Sequence, residues 1–260
     1  MSRNGFLANS SLMRAGGIIV GVPLSSSCPS CVRARQPSPR GILTIVVRVW
    51  TARRFLCATA GKAVSPMLMR EMSKILNSAV ATAKETLQSL VELDAEVAKA
   101  ADLVEQCLRA GNKLLVCGNG GSATDAAHFA TELVVRFTKD RRAYPAICLA
   151  ADGGLLTAAG NDYGFDEIFA RQVSAFGLPG DVLICLTTSG KSKNVKRALE
   201  EAKARKLKTI AFLGRDGGST IGMSDVDLLV RGDSTARIQE AHQFLLHVLC
   251  EIAEARLPRE

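Results

Sequence analysis

The chain has 260 residues, with 33 Lys and Arg against 25 Asp and Glu, 47% apolar residues and eight cysteines. Residues 1–66 hold nine of the basic residues and none of the acidic ones, so 24 basic and 25 acidic residues remain in 67–260, and the net +8 is the +9 of the first segment less one. The excess positive charge therefore stands apart from the part that reads as a folded domain, which argues against a nucleic-acid or anionic-membrane face on that part, and no apolar stretch reaches the ~20 residues of a membrane span.

In chain order, residues 1–66 come first, with the patches SSSCPS and RQPSPR and no sustained helical or alternating period. Such a segment buries no core. It reads as an extension outside the domain: an upstream stretch before a start at Met67, Met69 or Met72, a targeting segment, or a disordered tail. Its Cys28 and Cys31 form a CxxC with no second pair and no nearby His, which makes no zinc site. The later cysteines Cys117, Cys148, Cys185 and Cys250 fall at apolar positions, where a thiol is a small hydrophobe, and the whole pattern suits a reducing cytoplasm.

Residues 71–108 are good helix formers with apolar positions three and four apart, which predicts two amphipathic helices. From there, short apolar strands at 113–118, 145–150, 181–188, 208–214 and 227–230 alternate with helical stretches. Near-continuous apolar strands of this kind form a parallel sheet covered on both faces. The expected fold is α/β: a three-layer sandwich around a flavodoxin-like, five-stranded parallel sheet, with the N-terminal helical pair left outside it as a subunit contact or a simple packing element.

In such sheets ligands bind at the carboxyl ends of the strands. The first strand ends in Cys117-Gly118-Asn119-Gly120-Gly121-Ser122 and runs straight into a helix; the glycines let backbone approach an anion, and Ser122 with the free N–H groups of the helix start can donate to it. The third strand ends in Thr187-Thr188-Ser189-Gly190-Lys191-Ser192-Lys193-Asn194, with more hydroxyls and a Gly before the next helix than one cap requires. Both loops point to phosphate. Gly160-Asn161-Asp162 is a shorter polar stretch that suits either a sugar contact or an ordinary turn. Two lookalikes fail: Gly190-Lys191-Ser192 lacks the first Gly of a Walker A loop, Cys185 standing in its place, and Gly118, Gly120 and Ala123 match a dinucleotide fingerprint whose acidic partner, Asp152, comes too late.

The helix after the first loop carries Asp125, His128 and Glu132; His128 and Glu132 are four apart and share a face. The C-terminal helix carries Gln239, His242 and His247. Gln239 and His247 lie about 12 Å apart along a helix axis, long for ligands of one metal. The chain has three histidines, all on these two helices.

The stretches CGNGGSATDAAHFATELVVRF from Cys117, GNDYGFDEIFARQV from Gly160, TTSGKS from Thr187 and RIQEAHQFLLHVL from Arg237 closely resemble the phosphoheptose (sedoheptulose 7-phosphate) isomerases of the sugar isomerase domain family. The resemblance runs from about Met72 to the C-terminus. It implies a homotetramer with sites at subunit interfaces, conversion of sedoheptulose 7-phosphate to a glycero-manno-heptose 7-phosphate in bacterial heptose synthesis, and zinc, one ion per subunit. By the same resemblance, metal and acid/base groups fall on His128, Glu132, Gln239 and His247, with Glu132 moving the carbon-bound proton and His247 serving the oxygens. Substrate contacts fall on Asn119, Gly120, Gly121, Ser122, Asn161, Asp162, Thr187, Thr188, Ser189 and Ser192, beside Glu132 and Gln239. Thr187 departs from the usual Ser but keeps the hydroxyl, and Lys191 departs from a common Asn. A metal-bound Glu132 is a poorer base, so its two roles compete, and zinc is left open between a catalytic and a structural part. The competing reading is a non-catalytic member of the same fold that binds a replication-initiator protein; such members tend to lack the Glu and the final His that stand here as Glu132 and His247.

Overall fold

The structure, a computed structural model, describes residues 65–258. The extension before it, with the Cys28–Cys31 pair, lies outside the described residues except for its last two positions. These begin the first helix: Leu68 N–H donates to the Ser65 hydroxyl (3.2 Å), and Pro66 takes the first helical position, where its missing N–H costs nothing.

That helix, α1 (Pro66–Ser89), buries none of its side chains. After a single 3-10 turn, Leu90–Leu93, α2 (Asp94–Arg109) buries Ala100, Ala101, Val104, Cys107 and Leu108. The helical pair expected outside the sandwich is thus divided. The small and apolar side chains of α2 pack with β5 (Val226–Val230) and with α7 (Thr235–Arg256), while α1 packs chiefly on α7.

The remaining strands are β1 (Leu114–Gly118), β2 (Ala146–Cys148), β3 (Val182–Thr187) and β4 (Lys208–Gly214), all parallel, in the order β2-β1-β3-β4-β5. The strand expected over 145–150 is cut to three residues because it lies at the edge and pairs with β1 only from Ala146 to Cys148. Successive side chains point to opposite faces. Leu114, Val116, Ile184 and Phe212 meet α2, α7 and α3 (Gly121–Val134), whereas Leu115, Cys117, Leu183 and Cys185 meet α5 (Ala170–Phe176) and α6 (Lys193–Ala204). This is the expected three-layer sandwich. Chain order reverses between β1 and β3, so a crevice opens at their carboxyl ends, where ligands of doubly wound sheets bind.

Candidate functional site

Two loops face each other across that crevice. The first, between β1 and α3, turns at Gly120, whose φ is +56°. The next residue, Gly121, lies under the amide of Gln239 on α7, so a Cβ there would push that side chain aside. Ser122 is buried and its N–H donates to the Asn119 carbonyl (3.0 Å). The Asn119 side chain is fully engaged with Asn194 on α6: each amide nitrogen donates to the other's oxygen at 2.8 Å. Asn119 can therefore meet a ligand through its backbone while its side chain joins the two loops.

The second loop, between β3 and α6, is organised by its own hydroxyls. Thr187 is buried, accepts from Gly190 N–H (3.1 Å) and lies 3.3 Å from the Ser192 hydroxyl; Lys191 N–H donates to Ser189 (3.2 Å). Ser192 is the residue preceding α6 yet makes no capping bond to it, which leaves N–H groups at the start of the helix for an anion. Thr187 thus shapes the loop, and Thr188, Ser189 and Ser192, each half-buried, remain at its surface.

The titratable groups lie along the seam of α3 and α7. His128 Nε2 is 2.9 Å from His247 Nε2 and 3.4 Å from Glu132 Oε1. Gln243, one turn before His247, adds its amide nitrogen at 3.1 Å from the same His247 Nε2. With that nitrogen as the donor, His247 Nε2 is an acceptor and its proton sits on Nδ1. Gln239 belongs to the other end of the seam, against Gly121 and Asp125. Burial pushes the Asp125 carboxyl above its usual range, with His128 and the Gln239 amide drawing it partly back; its Oδ2 is buried with no hydrogen-bond partner among the described residues.

His128, Glu132 and His247 are therefore brought together, and Gln239 stands apart from them. Asn161 and Asp162 end α4 (Gly153–Tyr163) instead of forming a loop, and the Asn161 amide donates to Asp162 (2.8 Å). No side chain of α4 is buried. Gln243 and Asn194 stand inside the quoted stretches but were given no role there. Gln243 carries a usable signal, its four-residue spacing from His247 on a shared face; Asn194 carries none, because its partner is 75 residues away.

The set of two imidazoles, a carboxylate and an amide suits zinc in kind. As placed, no group of three or more His, Cys, Asp or Glu among the described residues is arranged to hold a metal. The reason is spacing: nitrogens bound to tetrahedral zinc at about 2.0–2.1 Å stand roughly 3.3 Å apart, whereas the two Nε2 atoms are at hydrogen-bond distance. A small parting of His128 from His247 would make room.

The SIS domain family model matches residues 80–214. A phosphoheptose isomerase of Geobacter sp. (strain M21) is 51% identical over 166 residues, 64% of this chain and 86% of that protein, and one of Geobacter sulfurreducens is 50% identical over 175 residues, 67% and 93% of the two. Among solved structures, a phosphoheptose isomerase from Neisseria gonorrhoeae superposes with TM-score 0.67 at 41% identity, covering 71% of this chain and 99% of that one. One from Francisella tularensis gives 0.69 at 39% identity, covering 72% and 99%.

Proposed function

This chain belongs to the SIS domain family, and we propose that Glu132 and His247 carry an aldose–ketose isomerisation in it, converting sedoheptulose 7-phosphate to D-glycero-D-manno-heptose 7-phosphate. The observation that carries the reading is the meeting of these two groups from separate helices, through His128, beside two loops built for an anion.

The reaction moves the carbonyl from C2 to C1. Glu132 takes a proton from C1 and, after exchange with solvent, returns one to C2; His247 receives the proton of the C1 hydroxyl and gives one to the oxygen at C2, so the enediol forms and collapses with no net change in protons. With the Gln243 amide donating to it, His247 Nε2 carries no proton at rest, so His247 takes the C1 hydroxyl proton before it gives one to the oxygen at C2. The phosphate would rest on the Ser122, Thr188, Ser189 and Ser192 hydroxyls, the N–H groups at the start of α6 and the N–H of Gly121, since those of Ser122 and Ala123 already donate to Asn119 and Gly120; this fixes the far end of the sugar and leaves C1 and C2 to the seam.

We assign His128, Glu132 and His247, which meet on the seam, as residues that would hold zinc, one ion per subunit, with Gln239 as a fourth that would have to turn from Gly121 to join them. Bound there, zinc would polarise the carbonyl oxygen. We also assign a homotetramer in the cytoplasm. Support for subunit contact is α1, which buries none of its side chains and leaves Met67, Met69, Met72, Ile75 and Leu76 all more than half exposed. Asn161 and Asp162, exposed on α4, would then reach substrate from within such an assembly.

The test is direct. The purified full chain, incubated with sedoheptulose 7-phosphate in deuterated water, should give the aldose phosphate with solvent deuterium at C2. Turnover absent with and without added zinc would end the proposal.

A further inference from the structure

The helices α3 and α7 meet a second time, at a junction of buried charge that the reaction does not use. Residues 135–145 lead from α3 to β2 and fold back on α7, where Glu254 waits seven residues after His247. Its carboxylate accepts from the backbone N–H groups of Phe137 (3.0 Å), Thr138 (3.1 Å) and Lys139 (3.1 Å) and from the Thr138 hydroxyl (2.7 Å). Arg141 Nε lies 3.3 Å from Glu254, and the same guanidinium donates to the carbonyls of Glu132 (2.8 Å) and Leu133 (2.9 Å) while stacking 4.1 Å from the Tyr144 ring. The two side chains are only 2% and 3% exposed.

A buried ion pair is a weak way to join helices, since apolar side chains of similar volume often do it as well. What it adds is direction. The planar fork of Arg holds several acceptors at set angles, and two of them are carbonyls of the last turn of α3, which have no partner within the helix. One of these is the carbonyl of Glu132 itself. On the other side, the Glu254 carboxylate holds Phe137 by its N–H, and the Phe137 ring lies against the His247 ring with centroids 5.4 Å apart. One cluster thus touches the residue that carries the base and the ring that carries the acid.

We infer that Arg141, Glu254 and Phe137 are positioning residues for the isomerisation: they set the separation of Glu132 and His247 by clamping the end of α3 to α7. The inference rests on the reaction proposed above. Misplacing a reacting group by about 1 Å costs on the order of 10²-fold in rate, while the phosphate loops, held by their own hydrogen bonds, are untouched.

Steady-state kinetics on the full chain, scaled to the folded fraction from circular dichroism, test this. Arg141→Lys keeps the charge opposite Glu254 but loses the fork; kcat should fall about 10- to 100-fold with KM within about twofold. Phe137→Leu leaves the ion pair intact; kcat should fall in the same way, Phe137→Tyr should restore it, and the His247 signal should move in a histidine-labelled NMR spectrum, which contains three histidines. Should Arg141→Lys fail to fold, the Phe137 pair decides. Unchanged kcat per folded molecule in Phe137→Leu with an unmoved His247 signal would overturn the inference. A wild-type chain without isomerase activity removes the proposed reaction instead, and leaves the His247 signal to judge the clamp.

Discussion

At the carboxyl ends of β1 and β3 most contacts are local: Thr187 reaches Gly190 and Ser192, three and five residues on, and Ser122 N–H reaches back to Asn119. Along the α3–α7 seam the decisive contacts are long, with His128 and His247 separated by 119 residues and Phe137 and Glu254 by 117. The anion end is made of backbone and hydroxyls in turns that preorganise themselves. The acid/base end is made of long side chains whose meeting depends on how two helices pack. Damage to the first should show as loss of affinity, and damage to the second as loss of turnover.

The strongest way to break that division is Glu132→Gln, which keeps size and hydrogen bonding but removes the base. Turnover should fall by about 10²–10⁴ while KM barely moves; a comparable rise in KM measured by initial rates would show that the two ends are not separate.

His242 links them. It is fully buried on α7 between Gln239 and His247, and its Nε2 lies 3.1 Å from the carbonyl of Leu213 on β4. Burial lowers its pKa from 6.5 to about 4, the Leu213 carbonyl opposing the shift. The unfolded chain therefore binds the proton first as pH falls, so this residue's share of stability declines from about pH 6.5 to about 4 and is constant outside that window. The loss amounts to about 3 kcal/mol. Urea midpoints across that range should fall less steeply for His242→Gln than for the wild type; parallel curves would contradict the assignment.

Ser192→Ala sharpens the other side. Ser192 makes no cap bond to α6 and its hydroxyl meets that of Thr187 at 3.3 Å, which leaves it a further bond to give to phosphate; removing it should raise KM by about 10- to 100-fold, the worth of a hydrogen bond to a charged group at roughly 1.5–3 kcal/mol, with kcat kept. An unchanged KM would move the phosphate elsewhere. The smallest effect belongs to removal of residues 1–64: melting temperature and turnover should both stay at the wild-type values, and loss of cooperative melting would show that the extension contributes to the fold.

Much of this molecule was legible before its structure. Apolar runs such as LLVCG and VLICLT, separated by helical stretches, determined the parallel sheet, because a strand buried on both faces has no polar side to show. The glycines and hydroxyls of both loops determined how those turns fold, because their contacts are local. The division of the N-terminal helices was not legible, since α1 and α2 have similar periodicity and only the sheet decides which of them finds a face to cover. Nor was the arrangement of the seam: spacing placed His128 beside Glu132 but could not say that His247 would join them while Gln239 packed on Gly121. Residues far apart in sequence meet only when their helices dock, and the Arg141–Glu254 junction that docks α3 on α7 has no local pattern to announce it.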